Sequence, residues 1–415
     1  MHPVEARPAI GTSRRPRRAL PALCATQITS WGIVYYAFPV LNPKITAATG
    51  WSSGATTGAF SLALLVSAFA GIRVGRIIDH HGPRTVMTTG SVLGTASLLT
   101  LAVAPNLLVF FAGWLLAGMA MASTFYQPAF AALTRWWAPD HVRALTIVTL
   151  AGGLASTVFA PATAALADHL SWRATYAVLA LILAAVTIPT HALALNAPWP
   201  AAPPNAAHDK WSADTAARSR PFWMLACALT LSAAAVYAVV VALVPLLLQR
   251  GYSSGQAAWA LGLGGAGQTL GRTAYAALAR RTRPAARTAV LIALGGVTTG
   301  ALAAVSGPYS LLVVLSMAAG MVRGNLTLLQ ATAVTDRWGT SHYGHLSGLL
   351  AAPTGIAAAL APFAGATLAM MIGGYARLFG ALAILSGLAA LGALWTTPHH
   401  VRRKAETVRT ASDTA

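Results

Sequence analysis

Acidic side chains are almost missing from this chain: nine aspartates and glutamates stand among 415 residues, against 28 lysines and arginines. The nine are Glu5, Asp79, Asp140, Asp168, Asp209, Asp214, Asp336, Glu406 and Asp413, and each maps to a loop, a tail or a helix end. A buried acid–base pair or a relay of intramembrane carboxylates has no material here, which argues against a membrane enzyme. Cysteine is as scarce. Cys24 and Cys227 fall in separate apolar stretches, so neither a disulfide framework nor a metal site is expected. Charge of either sign makes up 9% of the residues, and the run from Thr85 to Thr134 contains no Asp, Glu, Lys, Arg or His. No nucleotide-binding motif is visible, and no cofactor is expected.

What is abundant is apolar surface, at 56% of residues and a mean hydropathy of +0.62, beyond the usual range of soluble domains. A membrane-spanning helix needs roughly 20 apolar residues. That rule yields twelve spans, at 20–43, 54–73, 84–104, 107–134, 144–168, 172–195, 222–249, 254–278, 288–306, 308–334, 346–372 and 375–396. The fold class expected is all-α and integral to the membrane, with twelve transmembrane helices in two pseudo-symmetric six-helix bundles. Residues 1–19 form a basic tail, 20–195 the first bundle, 196–221 a Pro- and Ala-rich linker with no fold of its own, 222–396 the second bundle and 397–415 a second basic tail.

An internal repeat supports the division. Arg135-Trp136, a polar turn, Ala151-Gly152-Gly153 and Ala160-Pro161 recur, at an offset of about 202 residues, as Arg337-Trp338, a polar turn, Ala351-Ala352-Pro353-Thr354-Gly355 and Ala361-Pro362. Trp172-Arg173-Ala174-Thr175-Tyr176 likewise matches Tyr375-Ala376-Arg377-Leu378-Phe379. Membrane transporters built from repeated bundles leave this kind of weak symmetry.

The net charge of +19 invites a nucleic-acid reading, which its location refuses. With the N-terminus inside, 22 of the 28 lysines and arginines fall in cytoplasmic tails and loops, and the outer loops hold only Lys44, Arg173, Arg250 and Arg377. This is the positive-inside pattern, with both termini cytoplasmic in a bacterial inner membrane or a plasma membrane. Ser13-Arg14-Arg15 has the look of a twin-arginine export signal, but the apolar stretch after it is too long and no small-residue cleavage site follows. An uncleaved first helix is expected.

Between the second and third spans lies Gly75-Arg76-Ile77-Ile78-Asp79-His80-His81-Gly82-Pro83-Arg84. It resembles the G-x-L-x-D-R/K-x-G-R/K-R/K loop of the major facilitator superfamily, with His80 where a fixed cation is usual. The resemblance implies a latch between inward-open and outward-open states, carried by Gly75, Arg76, Asp79, Gly82 and Arg84; the alternative is a surface turn with incidental charges. Glycine permits a tight turn and close packing, and Asp79 can face basic groups or a helix N-terminus. A second copy, from Gly271-Arg272 to Arg280-Arg281, has Arg280 where an acid is common, so the Asp79 side is the expected carrier.

Several strings are similar to the monocarboxylate-transporter branch: Trp31-Gly32-Ile33-Val34-Tyr35-Tyr36-Ala37-Phe38, Arg143-Ala144-Leu145 leading to Ala151-Gly152-Gly153, and Gln268 one turn before Arg272. That branch carries an acid four residues before an arginine that binds the substrate carboxylate. Here Gln268 replaces the acid. The resemblance therefore implies carboxylate binding through Arg272 but offers no residue for proton coupling.

Arg272 and Arg323 are cations within apolar spans, and each costs at least about 2.5–3.5 kcal/mol at mid-bilayer unless compensated. For Arg272 two readings stand: an aqueous cavity holding an anion, or pairing with a loop acid or backbone carbonyls nearer the cytoplasmic mouth. For Arg323, between Gly320 and Gly324 with Asn325 following, substrate contact and a structural hydrogen bond stand equally, the glycines opening room for it. Tyr35, Tyr36, Tyr126, Gln127 and Tyr237 could line a pore or serve ordinary packing. Gly262, Gly264 and Gly267 fit a dinucleotide fingerprint, yet no strand precedes them, and close helix packing explains them better. No histidine falls at mid-membrane: His191 is near a helix end, and His80, His81, His141, His342 and His345 belong to cytoplasmic loops.

The expected function is secondary transport of a small organic anion by alternating access, Arg272 holding the carboxylate with Arg323 or Gln268 assisting. Any coupling ion, such as a proton, is unassigned. Export of neutral or amphipathic compounds is the first alternative, and a non-transporting membrane sensor the second.

Overall fold

A computed structural model describes residues 16–138, 140–200 and 213–396. The tail up to residue 15, the linker stretch 201–212 and the tail from 397, all invoked in the charge argument, lie outside the described residues.

Helices fall into the twelve expected spans. The first is assembled from α1 (Ala19–Ser30), a π-helical stretch (Trp31–Tyr36) and α2 (Ala37–Thr49). The second and third are α3 (Ser53–His81) and α4 (Pro83–Val103). The fourth divides into α5 (Leu107–Thr124) and α6 (Tyr126–Trp136), the fifth into α7 (His141–Gly153) and α8 (Ala155–His169), and the sixth is α9 (Trp172–Ala194). A short α10 (Ala213–Arg218) precedes α11 (Arg220–Gln249), α12 (Ser254–Arg281) and α13 (Pro284–Ala304). The tenth span is α14 (Tyr309–Thr332), extended by α15 (Thr335–Trp338); α16 (Tyr343–Ile372) and α17 (Tyr375–Ala393) complete the set. Among the described residues, ten helices are long and apolar enough to cross a membrane. The two spans outside that count are the first, with Gln27, Thr29 and Ser30 at its middle, and α12, which carries six glycines together with Arg272.

Local sequence sets the ends and breaks. Ser52, Asn106, Ser171, Ser219 and Ser253 each accept a backbone N–H at a helix start, as N-caps do. Within the fourth span Pro128 has no N–H to give the Thr124 carbonyl, and the chain turns extended at Phe125 before α6 begins. Gln27 of the first span repairs the break, its Nε2 donating to the Thr124 carbonyl at 2.6 Å and the Phe125 carbonyl at 3.3 Å. In the fifth span Gly152-Gly153 precede the break at Leu154.

Small residues bring helices close. A Cβ on Gly267 would lie 2.3 Å from the Met317 carbonyl oxygen, and one on Gly271 2.1 Å from that of Met321. From α14, a Cβ on Gly320 would lie 1.9 Å from the Gly264 carbonyl oxygen and one on Gly324 2.1 Å from that of Gln268. The dinucleotide-like glycines 264 and 267 thus serve the α12–α14 contact, as expected. The glycines flanking Arg323 were expected to make room for its side chain; instead they let two backbones touch.

The face where the described chain begins and ends, here the terminal face, shows what the sequence repeat builds. Arg135 donates from Nη1 to the Asp79 carbonyl at 3.0 Å, and its guanidinium lies over the Trp199 ring at 5.1 Å. Arg337 donates to the Thr396 carbonyl at 3.1 Å and to the Thr288 hydroxyl at 2.9 Å. In each half, the arginine ending the fourth helix ties the region where the second and third helices meet (Asp79 at the end of α3, Thr288 near the start of α13) to the segment leaving the sixth. Arg337 is buried in doing so, and desolvation draws its pKa down to about 10, still protonated at neutral pH. The linker departs from the featureless segment expected: Trp199 donates to the Asp79 carbonyl at 3.1 Å, and α10 packs on α11 and α16.

The halves meet where α3 crosses α16, where α7 faces α12 and α14, and where α6 touches α16. These contacts run from the terminal face, at Gly75 and Gly344, to mid-depth, at Ala68 and Gly355. Beyond that depth α2 and α8 pack on their own half. The bundle is closed at its terminal face.

Candidate functional site

Two guanidinium groups and four phenols gather at the seam between the halves. Arg272, on α12, is nine residues before Arg281 and so ~13 Å from the helix end by the helical rise. It is 6% exposed, and its Nη1 donates to the Thr149 carbonyl of α7 at 2.7 Å, across the seam. Its Nε is buried with no partner among the described residues. Gly152 and Gly153 make this approach feasible: a Cβ on Gly153 would lie 2.9 Å from Arg272 Nη1, and one on Gly152 2.3 Å from the Tyr126 hydroxyl.

Arg323, on α14, donates from Nε to Gln268 Oε1 at 3.1 Å. The residue standing where the branch keeps an acid is thus bonded to the tenth helix and not to Arg272. Arg323 also borders a cavity of about 40 Å³ inside the second half, beside the buried Ser316, whose hydroxyl has no partner among the described residues. That is room for two or three waters.

Tyr36 lies within electrostatic range of Tyr237, Arg272 and Arg323, and Tyr126 within range of Arg272, Tyr36 and Tyr237. Tyr35 neighbours Tyr36 and Tyr237. Tyr237 is 48% exposed, yet charged and phenolic groups of both halves surround it, so its exposure is to an internal cleft. Among the described residues, the hydroxyls of Tyr35, Tyr36 and Tyr237 make no hydrogen bond, and neither arginine pairs with an acid.

The tyrosine positions follow from the helix breaks. Tyr35 and Tyr36 end the π-helical stretch, where the wider turn shifts side-chain directions, and Tyr126 opens α6 just after Phe125. Two expected members lie elsewhere. Gln127 turns toward the second span, where a Cβ on Gly71 would meet its Oε1 at 2.6 Å. Asn325 donates to the Met321 carbonyl of its own helix at 2.9 Å. Gln27 carried no expected role in the sequence, and Trp31 stood there only as part of the family-like string. Trp31 donates to Gln27 Oε1 at 3.2 Å and stacks on Phe125 with ring centroids 4.1 Å apart. A lone glutamine inside an apolar span was the available signal.

At the terminal face the Asp79 carboxylate accepts from the Gly344 N–H at 2.9 Å and the His345 N–H at 2.8 Å, capping α16 of the opposite half. Both alternatives read for Asp79 are met: its carboxylate caps the helix N-terminus, and Arg135 stands within electrostatic range of it. Gly75 lies on Gly344, Arg76 Nη2 is 3.4 Å from His345 Nε2, and Gly82 takes a φ of +79° beneath Trp199. Arg84 turns to its own half, donating to the Ala192 carbonyl and to Asn196 Oδ1, each at 2.8 Å. The second copy of this loop has no acid in the position of Asp79, and Arg280 is exposed there.

A family model described as Major Facilitator Superfamily matches residues 23–322. Monocarboxylate transporter 13 of Rattus norvegicus is 27% identical over 389 residues, covering 91% of this chain and 86% of that protein. The Bos taurus protein of the same name is 27% identical over 391 residues, covering 91% and 87%. Among solved structures, the Major Facilitator Superfamily transporter FucP in the outward conformation aligns with a TM-score of 0.72 at 14% identity, over 93% of this chain and 100% of that one. The human organic anion transporter MFSD10 aligns at 0.68 and 18% identity, over 91% and 99%. At such identities the solved structures establish the fold alone. Twelve helical spans, the Asp79 loop and the family match agree, and the chain belongs to the Major Facilitator Superfamily, a multi-pass membrane protein of the transporter kind.

Proposed function

We propose that this protein carries a small organic anion of the monocarboxylate class across the membrane by alternating access, with Arg272 as the carboxylate contact. The observation that carries the reading is the meeting of two acid-free guanidinium groups, from α12 and α14, with the tyrosines of the opposite half. A guanidinium binds carboxylate through paired N–H donors, and Arg272 retains for that purpose a buried Nε with no partner among the described residues. An anion arriving there relieves the cost of two like charges held near mid-membrane.

The excess of Lys and Arg around the terminal face makes that face cytoplasmic. The closed terminal face then corresponds to an outward-facing state, with Asp79 and the glycine crossing of α3 and α16 as its latch. Relatives named monocarboxylate transporters support the substrate class.

Counterflow into proteoliposomes tests the reading. Full-length protein is reconstituted, loaded with unlabelled monocarboxylates and assayed for entry of labelled acid, beside Arg272→Gln. Exchange by the parent that drops at least a hundredfold in a folded Arg272→Gln is the expected result. If the variant exchanges normally, or if no acid exchanges while neutral amphipathic compounds do, anion transport is wrong and neutral export takes its place.

A further inference from the structure

The two walls of the seam differ in chemistry. The second half contributes cations, Arg272 and Arg323, with the amide of Gln268 between helices. The first half contributes aromatic faces from two of its interrupted helices: Trp31, Tyr35 and Tyr36 from the π-helical stretch, and Tyr126 from the start of α6. These rings are packed on one another, Trp31 to Tyr126 with centroids 5.1 Å apart and Tyr35 to Tyr36 at 5.1 Å. Neither Tyr35 nor Tyr36 is fully buried, and both stand within range of Tyr237 across the seam.

A short aliphatic acid could satisfy the arginines, but it would leave this aromatic wall and its phenols facing water. A flat ring with a carboxylate at one end fits both walls at once, since ring faces and edges attract and guanidinium grips carboxylate. The hydroxyls of Tyr35, Tyr36 and Tyr237, which bond to nothing among the described residues, would then find a partner in a polar group on the ring. Resting on the anion-transport reading above, we infer that the substrate is an aromatic carboxylate bearing a hydroxyl group, with its carboxylate at the Arg272 wall and its ring at the Tyr36 wall.

The test is counterflow at pH 8, where passive leakage of neutral acid is small, comparing labelled 4-hydroxybenzoate, benzoate and lactate. Parent protein is expected to exchange 4-hydroxybenzoate at least tenfold faster than lactate, with benzoate between them. Tyr36→Leu should lower the hydroxybenzoate-to-lactate ratio at least fivefold, and Tyr36→Phe should narrow the gap between hydroxybenzoate and benzoate. Residual lactate exchange by each variant reports folding, and binding of hydroxybenzoate measured by thermal shift serves a variant that does not reconstitute. Lactate exchanged as fast as the aromatic acids, or ratios that ignore both variants, would overturn the aromatic assignment while leaving anion transport standing. Exchange of no acid at all would overturn both.

Discussion

Gly75 and Gly344 lie backbone on backbone across the boundary between the halves: a Cβ on Gly75 would stand 2.0 Å from the Gly344 carbonyl oxygen. A partner that is itself main chain cannot rotate out of the way. Gly75→Ala must therefore part α3 from α16 and weaken the Asp79 cap beside it. We expect the terminal-face-closed population to fall at least tenfold relative to the open one, about 1.4 kcal/mol. Spin-label distances between terminal-face positions on α3 and α16 report this. Unchanged distances would show that the crossing has slack and that the latch role proposed for Gly75 is wrong.

Gln268 accepts from Arg323 across the α12–α14 contact, which makes it a sensitive position for charge. Gln268→Glu places a carboxylate on that guanidinium and removes part of the positive field offered to the substrate. The apparent KM for an anionic substrate is expected to rise about tenfold, and because Arg323 beside the new carboxylate favours its ionised form the loss should persist in mild acid. The comparison is the KM of variant and parent for the same labelled acid at pH 7.5 and at pH 5.5. A variant KM equal to the parent's would mean that Arg323 does not contribute to the anion's environment.

Gln27 is the donor that serves the broken fourth helix, and its loss leaves the Thr124 and Phe125 carbonyls without that bond. Gln27→Leu is expected to cost roughly 1–3 kcal/mol, the usual penalty for stranding a buried acceptor. It also frees Trp31 Nε1, so the aromatic wall should loosen with it. Differential scanning fluorimetry of the detergent-solubilised protein measures the first effect as a lower Tm. An unchanged Tm would show that water or a relaxed backbone replaces the amide.

The Arg272 reading shows how far a single sequence reaches at a site. Its position in an apolar span, one turn after Gln268, marked it as a buried cation, and bilayer cost made compensation necessary. Which compensation holds in this state was not legible, because the Thr149 carbonyl is 123 residues away and no side chain advertises it. Asp79 was similarly half-legible. Its loop pattern singled it out, but that it caps the N-terminus of α16 depended on the crossing of α3 and α16. Gln127 and Asn325 carried the same polar signal as their neighbours and point elsewhere, since a helix rotation of one residue moves a side chain by 100°.

Hydropathy, charge placement and the half-chain repeat determined by themselves that this chain spans a membrane twelve times in two like halves. Those features follow from bilayer thickness and from the cost of charge in hydrocarbon, which act on each segment separately. Only the tertiary structure decided that Arg323 bonds Gln268, that the linker's Trp199 supports the Asp79 loop, and that aromatic rings and guanidinium groups occupy opposite walls. These depend on helix breaks at Trp31–Tyr36, Phe125 and Leu154 and on glycine contacts between distant segments, where the direction of a side chain is set by packing with partners that lie far away in sequence.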